Sequence, residues 1–442
     1  MALNVLRDLV AGAIVLGVLV LIHEWGHFVM AKLCGVRVEI FSIGFGTRLW
    51  GRKRGDTDYR ISALPLGGYV KMAGDNPVEE RTGEPYEFLS RPRWQRFLIA
   101  IAGPAMNVIL TLAIFWGIYA LVGAPMDAYL RQPALVAAVP KDQQSATHIQ
   151  GGDQIVAVGG VATPTWGKVS KALANAKPGS KVAVTVLRDG SRKTFDISIP
   201  HTQTALEDVL GYPFITPVTE GALPGSPADE AGLKAGDKFV SINGQPVVTW
   251  QQLTETVGKA GPHPIHFVIS REGKDVPLTI TPTYTMNSDG RMDWLIGAEP
   301  PNIPSYYQKQ GIIESAKDAV AYTWTLMRTM GDALSGLVRG QVSVRELAGP
   351  VGIVQMSGQA AQGGTITLLT WTAYISLNLG LLNLLPIPIL DGGHVLMLAV
   401  EGSLRRDLSV AVKERFVQVG LVFLLCLVAL AFYSDIHRLI GY

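Results

Sequence analysis

The chain has 442 residues, 48% of them hydrophobic and 17% charged, with a mean hydropathy of +0.26. That balance is too apolar for an ordinary soluble protein and points to a mixed membrane protein, while a net charge of +2 is too small for a nucleic-acid partner. The two cysteines, Cys34 and Cys426, sit at or in apolar segments and exclude both a disulfide framework and a CxxC metal site.

Four segments are long and apolar enough to cross a hydrocarbon core of ~30 Å: residues 9–33, 97–126, 366–400 and 416–433. The first is too long for a signal peptide and lacks a convincing cleavage site, so it is expected to be retained. It ends in LIHEWGHFVM, with His23, Glu24 and His27 following fourteen uncharged residues, 9–22. On a helix, positions i and i+4 share a face, so the two imidazoles can grip one metal ion. Glu24 is then placed as a general base on water. Ionisable groups at bilayer depth are costly and mark function by default. The competing reading is a helix cap or an interfacial patch.

The loop 34–96 is rich in Arg and Lys, which places it in the cytoplasm; both termini and residues 127–365 then lie outside. Within that loop, residues 41–50 and 59–72 favour strands, punctuated by Gly44, Gly46, Pro65, Gly67 and Gly68. Such a strand pair can dip into the membrane interface and add a substrate strand at its edge. An ordinary hairpin is the alternative. In the second span, AGPAMN (residues 102–107) reads mainly as packing, with Gly103 and Ala105 allowing close approach and Asn107 able to bond across helices.

Outside the membrane, GDQIVAVGGVATPTW from Gly152 aligns without gaps to GDKFVSINGQPVVTW from Gly236, 84 residues on. Two copies of one small domain follow. The second begins GSPADEAGLKAGD and resembles the PDZ domain, which adds extended peptides at a sheet edge. In the first copy Thr147-His148-Ile149 stands where Ala231-Gly232-Leu233 stands in the second. A spacer or lid without a peptide ligand is the alternative for each. Residues 311–340 form an amphipathic helical pattern, either lying on the outer interface or packing on the second repeat.

The third span carries NLLPIPILDGGH, residues 383–394. Pro386 and Pro388 break a helix, and irregular backbone at membrane depth is tolerated only inside protein or along a wet cavity. Asp391 needs a partner there. A catalytic zinc takes three protein ligands and keeps one open position, which His23, His27 and Asp391 would satisfy. An Asp capping a broken helix is the alternative. His394, three residues on, is a rival ligand or an outer hydrogen-bonding partner.

HEWGH with the pattern Asn383, Pro386, Pro388, Leu390, Asp391, Gly392 resembles the site-2 protease family of intramembrane zinc metalloproteases, over essentially the whole chain. The resemblance implies one zinc per chain on His23, His27 and Asp391, with Glu24 as base. It implies substrate contacts from Asn378 and Asn383, and from the β segments around Gly44, Gly46, Gly67, Gly68 and Tyr69. It also implies single-span membrane substrates, such as an anti-sigma factor in an envelope stress response, and signal-peptide remnants. The location would be a bacterial inner membrane, with the PDZ-like domains and both termini periplasmic.

The expected fold is therefore mixed: an α-helical polytopic core of four transmembrane helices, a membrane-associated β segment and two tandem PDZ-like α+β domains. Its parts would be residues 1–126 (spans one and two), 127–206 and 207–300 (the two repeats), 301–365 (amphipathic helix and connector) and 366–442 (spans three and four). A catalytically silent PDZ-bearing scaffold and a metal transporter are the rival classes. An intact Glu24 speaks against the first, and clustering of the polar residues at one depth against the second.

Overall fold

Helix α1 (Ala2–Leu33) buries Ala11, Val15, Leu19, His23, His27 and Ala31, one residue in every four. That spacing keeps one face of a helix turned inward, so the two histidines continue the packing stripe that holds the helix in place. The computed structural model describes residues 2–75, 83–139, 147–177, 179–199, 210–223, 225–286, 292–301, 305–338 and 349–440. It divides into a helical unit, Met1–Gly123 with Lys309–Tyr442, and a repeat unit, Ala124–Gln308.

After α1, strands β1 (Val38–Arg54) and β2 (Thr57–Met72) each bend and fold back. Arg48–Arg54 pairs with residues 57–62, and these also face the start of β1, where Ile40 pairs with Asp58 and Ile43 with Ile61. On its other side the start of β1 pairs with the end of β2, Phe41 with Val70 and Ile43 with Gly68. Two long strands thus make four rows, and the end of β2 is an outer row. The bends fall at Gly44, Gly46 and Gly67, with φ of +89°, +86° and +142°, values that residues with a Cβ rarely adopt.

Helix α2 (Arg93–Leu121) runs against α1. A Cβ on Gly26 would stand 2.4 Å from the Ala102 carbonyl, so this crossing requires glycine.

In the repeat unit, β3 (Ala124–Asp127) opens the chain segment, followed by β4 (Val136–Ala138). The first copy then supplies β5 (Gln154–Val158), β6 (Val161–Ala162), α3 (Trp166–Ala174), β7 (Lys181–Arg188) and β8 (Ser191–Ser198). Its sheet order is β6-β5-β7-β8. Short β9 (Tyr212–Pro213) pairs with β4, and β10 (Gly221–Ala222) and α4 (Pro227–Glu230) lead into the second copy. That copy supplies β11 (Lys238–Ile242), β12 (Gln245–Pro246), α5 (Trp250–Ala260), β13 (Ile265–Arg271) and β14 (Lys274–Ile280), in the order β12-β11-β13-β14.

The two copies therefore share one topology. Their cores correspond as well: Ile155, Val158 and Trp166 are buried in one, and Phe239, Ile242 and Trp250 in the other. Thr165 and Thr249 cap α3 and α5 through the same side-chain oxygen. A hairpin of β15 (Thr283–Met286) and β16 (Met292–Leu295) follows, then β17 (Ala298–Glu299) on β10. Last, β18 (Ser305–Gln308) pairs with β3 and brings the two ends of the unit together.

The chain then returns to the helical unit with α6 (Ile312–Val338). Residues 339 and 340 of the expected amphipathic stretch lie outside the described residues. Helix α6 packs on the spanning helices: the Trp116 indole donates to the Ile312 carbonyl at 3.2 Å, and the Phe115 and Tyr322 rings meet edge to face at 5.0 Å. Its buried face carries Ser315, Ala319 and Thr323, while Ile312 and Val320 of the apolar pattern, and Trp324, are exposed. Small residues make the helix contact and the large apolar ones face outward, as in membrane helix packing.

Helices α7 (Pro350–Gln362), α8 (Thr365–Asn383), α9 (Asp391–Leu404) and α10 (Val410–Ile440) complete the unit. The third expected span is thus a helix, a break at residues 384–390 and a second helix. Among the described residues three helices are long and apolar enough to cross a membrane: Val5–Leu33, Arg93–Leu121 and Thr365–Asn383. The fourth expected segment falls on α10, whose side chains from residue 431 onward lie outside the described residues. Helix α8 is tied to α2 by hydroxyls: Thr111 donates to the Ala373 carbonyl at 3.0 Å and Ser376 to the Asn107 carbonyl at 2.8 Å.

Candidate metal centre

The break after α8 sets the geometry of the site. Pro386 and Pro388 deny the backbone two donors, and Ile389 sits at φ +82°, a strained value for a β-branched residue. Gly392 and Gly393 then bring the start of α9 against the break. A Cβ on Gly392 would lie 2.2 Å from the Leu385 carbonyl, and one on Gly393 2.3 Å from that of Ile387. Asp391, the first residue of α9, is thereby carried to the buried stripe of α1.

There three ligand-bearing side chains converge. The His23 and His27 Nε2 atoms are 3.3 Å apart, and the Asp391 carboxylate oxygens lie 3.1 Å from the first and 3.4 Å from the second. Atoms bound to one zinc at ~2.0–2.1 Å in a tetrahedron are ~3.3–3.4 Å from one another, and the contacts here, made through both carboxylate oxygens, are of that size. The donor set, two imidazoles and a carboxylate, also suits zinc. On His27, Nδ1 donates to the Ile99 carbonyl at 2.8 Å, which leaves the Nε2 lone pair for a metal.

The back wall is α2. A Cβ on Gly103 would stand 2.3 Å from His27 Nε2 and 2.8 Å from His23 Nε2. On the open side lies a cavity of about 540 Å³, lined by His23, Glu24, His27, Tyr69, Val70, Asn383, Asp391 and His394 among others. Glu24 faces this cavity and accepts from the Val70 backbone N–H at 3.0 Å, which ties it to the outer row of β2. Asn383 reaches His23 Nε2 at 3.4 Å.

Of the residues expected at the site, His23, Glu24, His27, Tyr69, Asn383 and Asp391 line one cavity, and His394 joins them. Gly68 packs beside Glu24, where a Cβ would meet Glu24 Cγ at 3.8 Å. Gly67 packs under the Phe45 ring, which stacks on Tyr69 at 6.1 Å. Gly44 and Gly46 shape the bend of β1 and are not among the cavity's lining residues, nor is Asn378, which is exposed on α8. Sequence reasoning did not single out the Ile99 carbonyl or the Val70 N–H, because backbone groups carry no residue signal. Gly103 and Asn107 stood in the sequence only as packing residues.

Comparison with known proteins finds relatives along nearly the whole chain. The family model for peptidase family M50 matches residues 11–427. The regulator of sigma E protease of Salmonella typhi is 35% identical over 456 residues, covering 99% of this chain and all of the relative. Regulator of sigma-E protease RseP of Escherichia coli K12 is 34% identical over 457 residues, with the same coverage. A putative zinc metalloprotease of Vibrio cholerae is 33% identical over 465 residues, again covering 99% of this chain. With the family model spanning nearly the whole chain and relatives aligned end to end, the chain belongs to peptidase family M50, the site-2 protease family of zinc metalloproteases.

Proposed function

We propose that the protein is an intramembrane endopeptidase that cuts the transmembrane segments of single-span membrane proteins. The observation that carries this reading is the convergence of Asp391 on His23 and His27, beside Glu24, at a helix apolar enough to span a bilayer. One zinc held by these three would supply a Lewis acid for the scissile carbonyl and lower the pKa of water there toward ~7.

The chain's own groups do the rest. Glu24 takes the proton as water attacks and returns it to the leaving amine. A helical substrate hides its carbonyls in its own hydrogen bonds, so it must unwind before it is cut. The outer row of β2, Gly68 to Met72, borders the cavity and would accept the unwound segment as an added strand. Asn383 would hold its backbone from the opposite wall. These donors replace bonds whose loss costs several kcal/mol each in lipid. Exposed Phe45, Leu49 and Trp50 on β1 support contact of this sheet with the membrane interface.

In this reading α10 is a fourth span, the basic loop is cytoplasmic and the repeats are PDZ-like periplasmic domains of an inner-membrane protein. The substrates are an anti-sigma factor already trimmed outside, and signal-peptide remnants, in line with relatives named as regulators of sigma-E. The repeats act as a size filter; deleting residues 136–282 behind a short linker would then allow cleavage of substrates with longer ectodomains. Purified protein should cut a tagged single-span substrate, and Glu24→Gln should abolish cleavage while keeping about one zinc per chain. Wild-type turnover by Glu24→Gln would overturn the assignment.

A further inference from the structure

We infer that Asn107 is a positioning residue for the metal centre: its amide oxygen accepts the Nδ1 proton of His23 and so leaves His23 Nε2 free to bind metal. This rests on the zinc reading of the site.

Asn107 is fully buried in α2, and its side-chain nitrogen lies 3.2 Å from His23 Nδ1. Its backbone is held in place, since its carbonyl accepts from both Thr111 and Ser376. In this orientation the amide would donate to Nδ1. The only remaining proton of a neutral His23 would then sit on Nε2, which faces His27 Nε2 at 3.3 Å and the Asp391 carboxylate at 3.1 Å. A protonated Nε2 cannot be a ligand. The same orientation leaves Asn107 Oδ1 buried without a hydrogen-bond partner, although an unmet buried acceptor is costly.

Turning the amide over frees Nε2 and gives Oδ1 a partner, and it moves the amide NH2 to the place where Oδ1 stood. Amide nitrogen and oxygen exchange places by a half-turn, and their assignment follows from the network they serve. Oδ1 then accepts Nδ1–H, and the Nε2 lone pair points into the triangle. The second histidine supplies the precedent within the same site, since an acceptor, the Ile99 carbonyl, stands behind its Nδ1 at 2.8 Å. Each imidazole then has an oxygen at its back, one from the backbone and one from Asn107. An acceptor behind a ligating His fixes its tautomer and raises its basicity.

The test is zinc affinity of the full-length chain in detergent, measured by chelator competition, with cobalt spectra as a second readout. Asn107→Leu keeps the volume and removes the acceptor; it should bind zinc 10–100-fold more weakly and alter the cobalt bands. Asn107→Asp can accept but not donate, and should bind within about threefold of wild type, a rescue that packing alone does not explain. Wild-type affinity in Asn107→Leu would overturn the inference. So would an Asn107→Asp protein that folds but binds as weakly as the Leu variant. If Leu fails to fold, the Asp variant still decides between accepting and donating. A His23→Ala control that binds zinc like wild type would overturn the zinc reading of the site, and the role of Asn107 with it.

Discussion

In the repeat unit the buried carboxylates Asp153 and Asp237 are each answered within their own copy, whereas in the helical unit three ligand-bearing side chains from two helices meet at one point. Asp153 is bound by Arg188, which also reaches the His148 carbonyl; Asp237 is bound by Arg271, which also reaches the Gly232 carbonyl. The same clamp occurs twice, closes locally and leaves nothing over. His23, His27 and Asp391 are brought together once, from α1 and α9, with their ligand atoms turned on one another. A duplicated, self-contained polar cluster serves the fold. An unrepeated cluster that leaves its lone pairs facing a shared point serves chemistry, and that contrast yields predictions of unequal size.

The largest effect belongs to the back wall of the metal centre. Gly103→Ala puts a methyl within 2.3 Å of His27 Nε2, so zinc binding and cleavage should each fall at least ~100-fold. Gly117→Ala on the same helix meets nothing within 4 Å and should leave both unchanged. Equal behaviour of the two variants would remove the distinction drawn here.

A smaller effect is expected at the clamp. Burial alone would raise the Asp237 carboxyl, but the hydrogen-bonded Arg271 guanidinium and the Lys234 backbone N–H outweigh it and hold it below the usual carboxylate range. A lowered folded-state pKa means stability that is fully present above the unfolded value of ~3.9 and is lost as pH falls below it. Asp237→Ala should weaken the second copy by roughly 1.5–3 kcal/mol. Hydrogen exchange across residues 238–280 should then rise, with zinc content unchanged. A loss of zinc in that variant would couple the clamp to the site and break the comparison.

The smallest effect lies where the copies differ. His148 occupies the left-handed region, φ +58°, at the place where Gly232 has φ +78°. His148→Gly should stabilise the first copy by about 1 kcal/mol, and Gly232→Ala should weaken the second by about 1–2 kcal/mol. Thermal denaturation of the full chain with each substitution, compared with wild type, would show opposite signs.

How far the sequence carried depended on the kind of signal. The HExxH spacing and the Asp after the proline break already marked the cluster, because ionisable residues stand out against apolar surroundings. The matching sheets follow from a gapless repeat. The expected third span runs on to residue 400 because residues 395–400 are apolar again, and only Pro386 and Pro388 mark the break. On α6 the apolar periodicity identified the helix but not its packing side, which Ser315, Ala319 and Thr323 provide. Asn378 shares a helix with Asn383 but is exposed, and a motif alone does not reveal which way a residue faces. Asn107 was hidden for the same reason, since nothing in AGPAMN says that its amide meets His23.

The most direct test of the central claim is zinc content of the purified chain in two variants three residues apart. Asp391 supplies the carboxylate of the triangle, whereas His394 lines the cavity one turn further along α9. Asp391→Ala should lose most of its zinc and all cleavage, while His394→Ala should keep about one zinc per chain and lose activity only in part. The reverse order, zinc kept without Asp391 and lost without His394, would contradict the assignment.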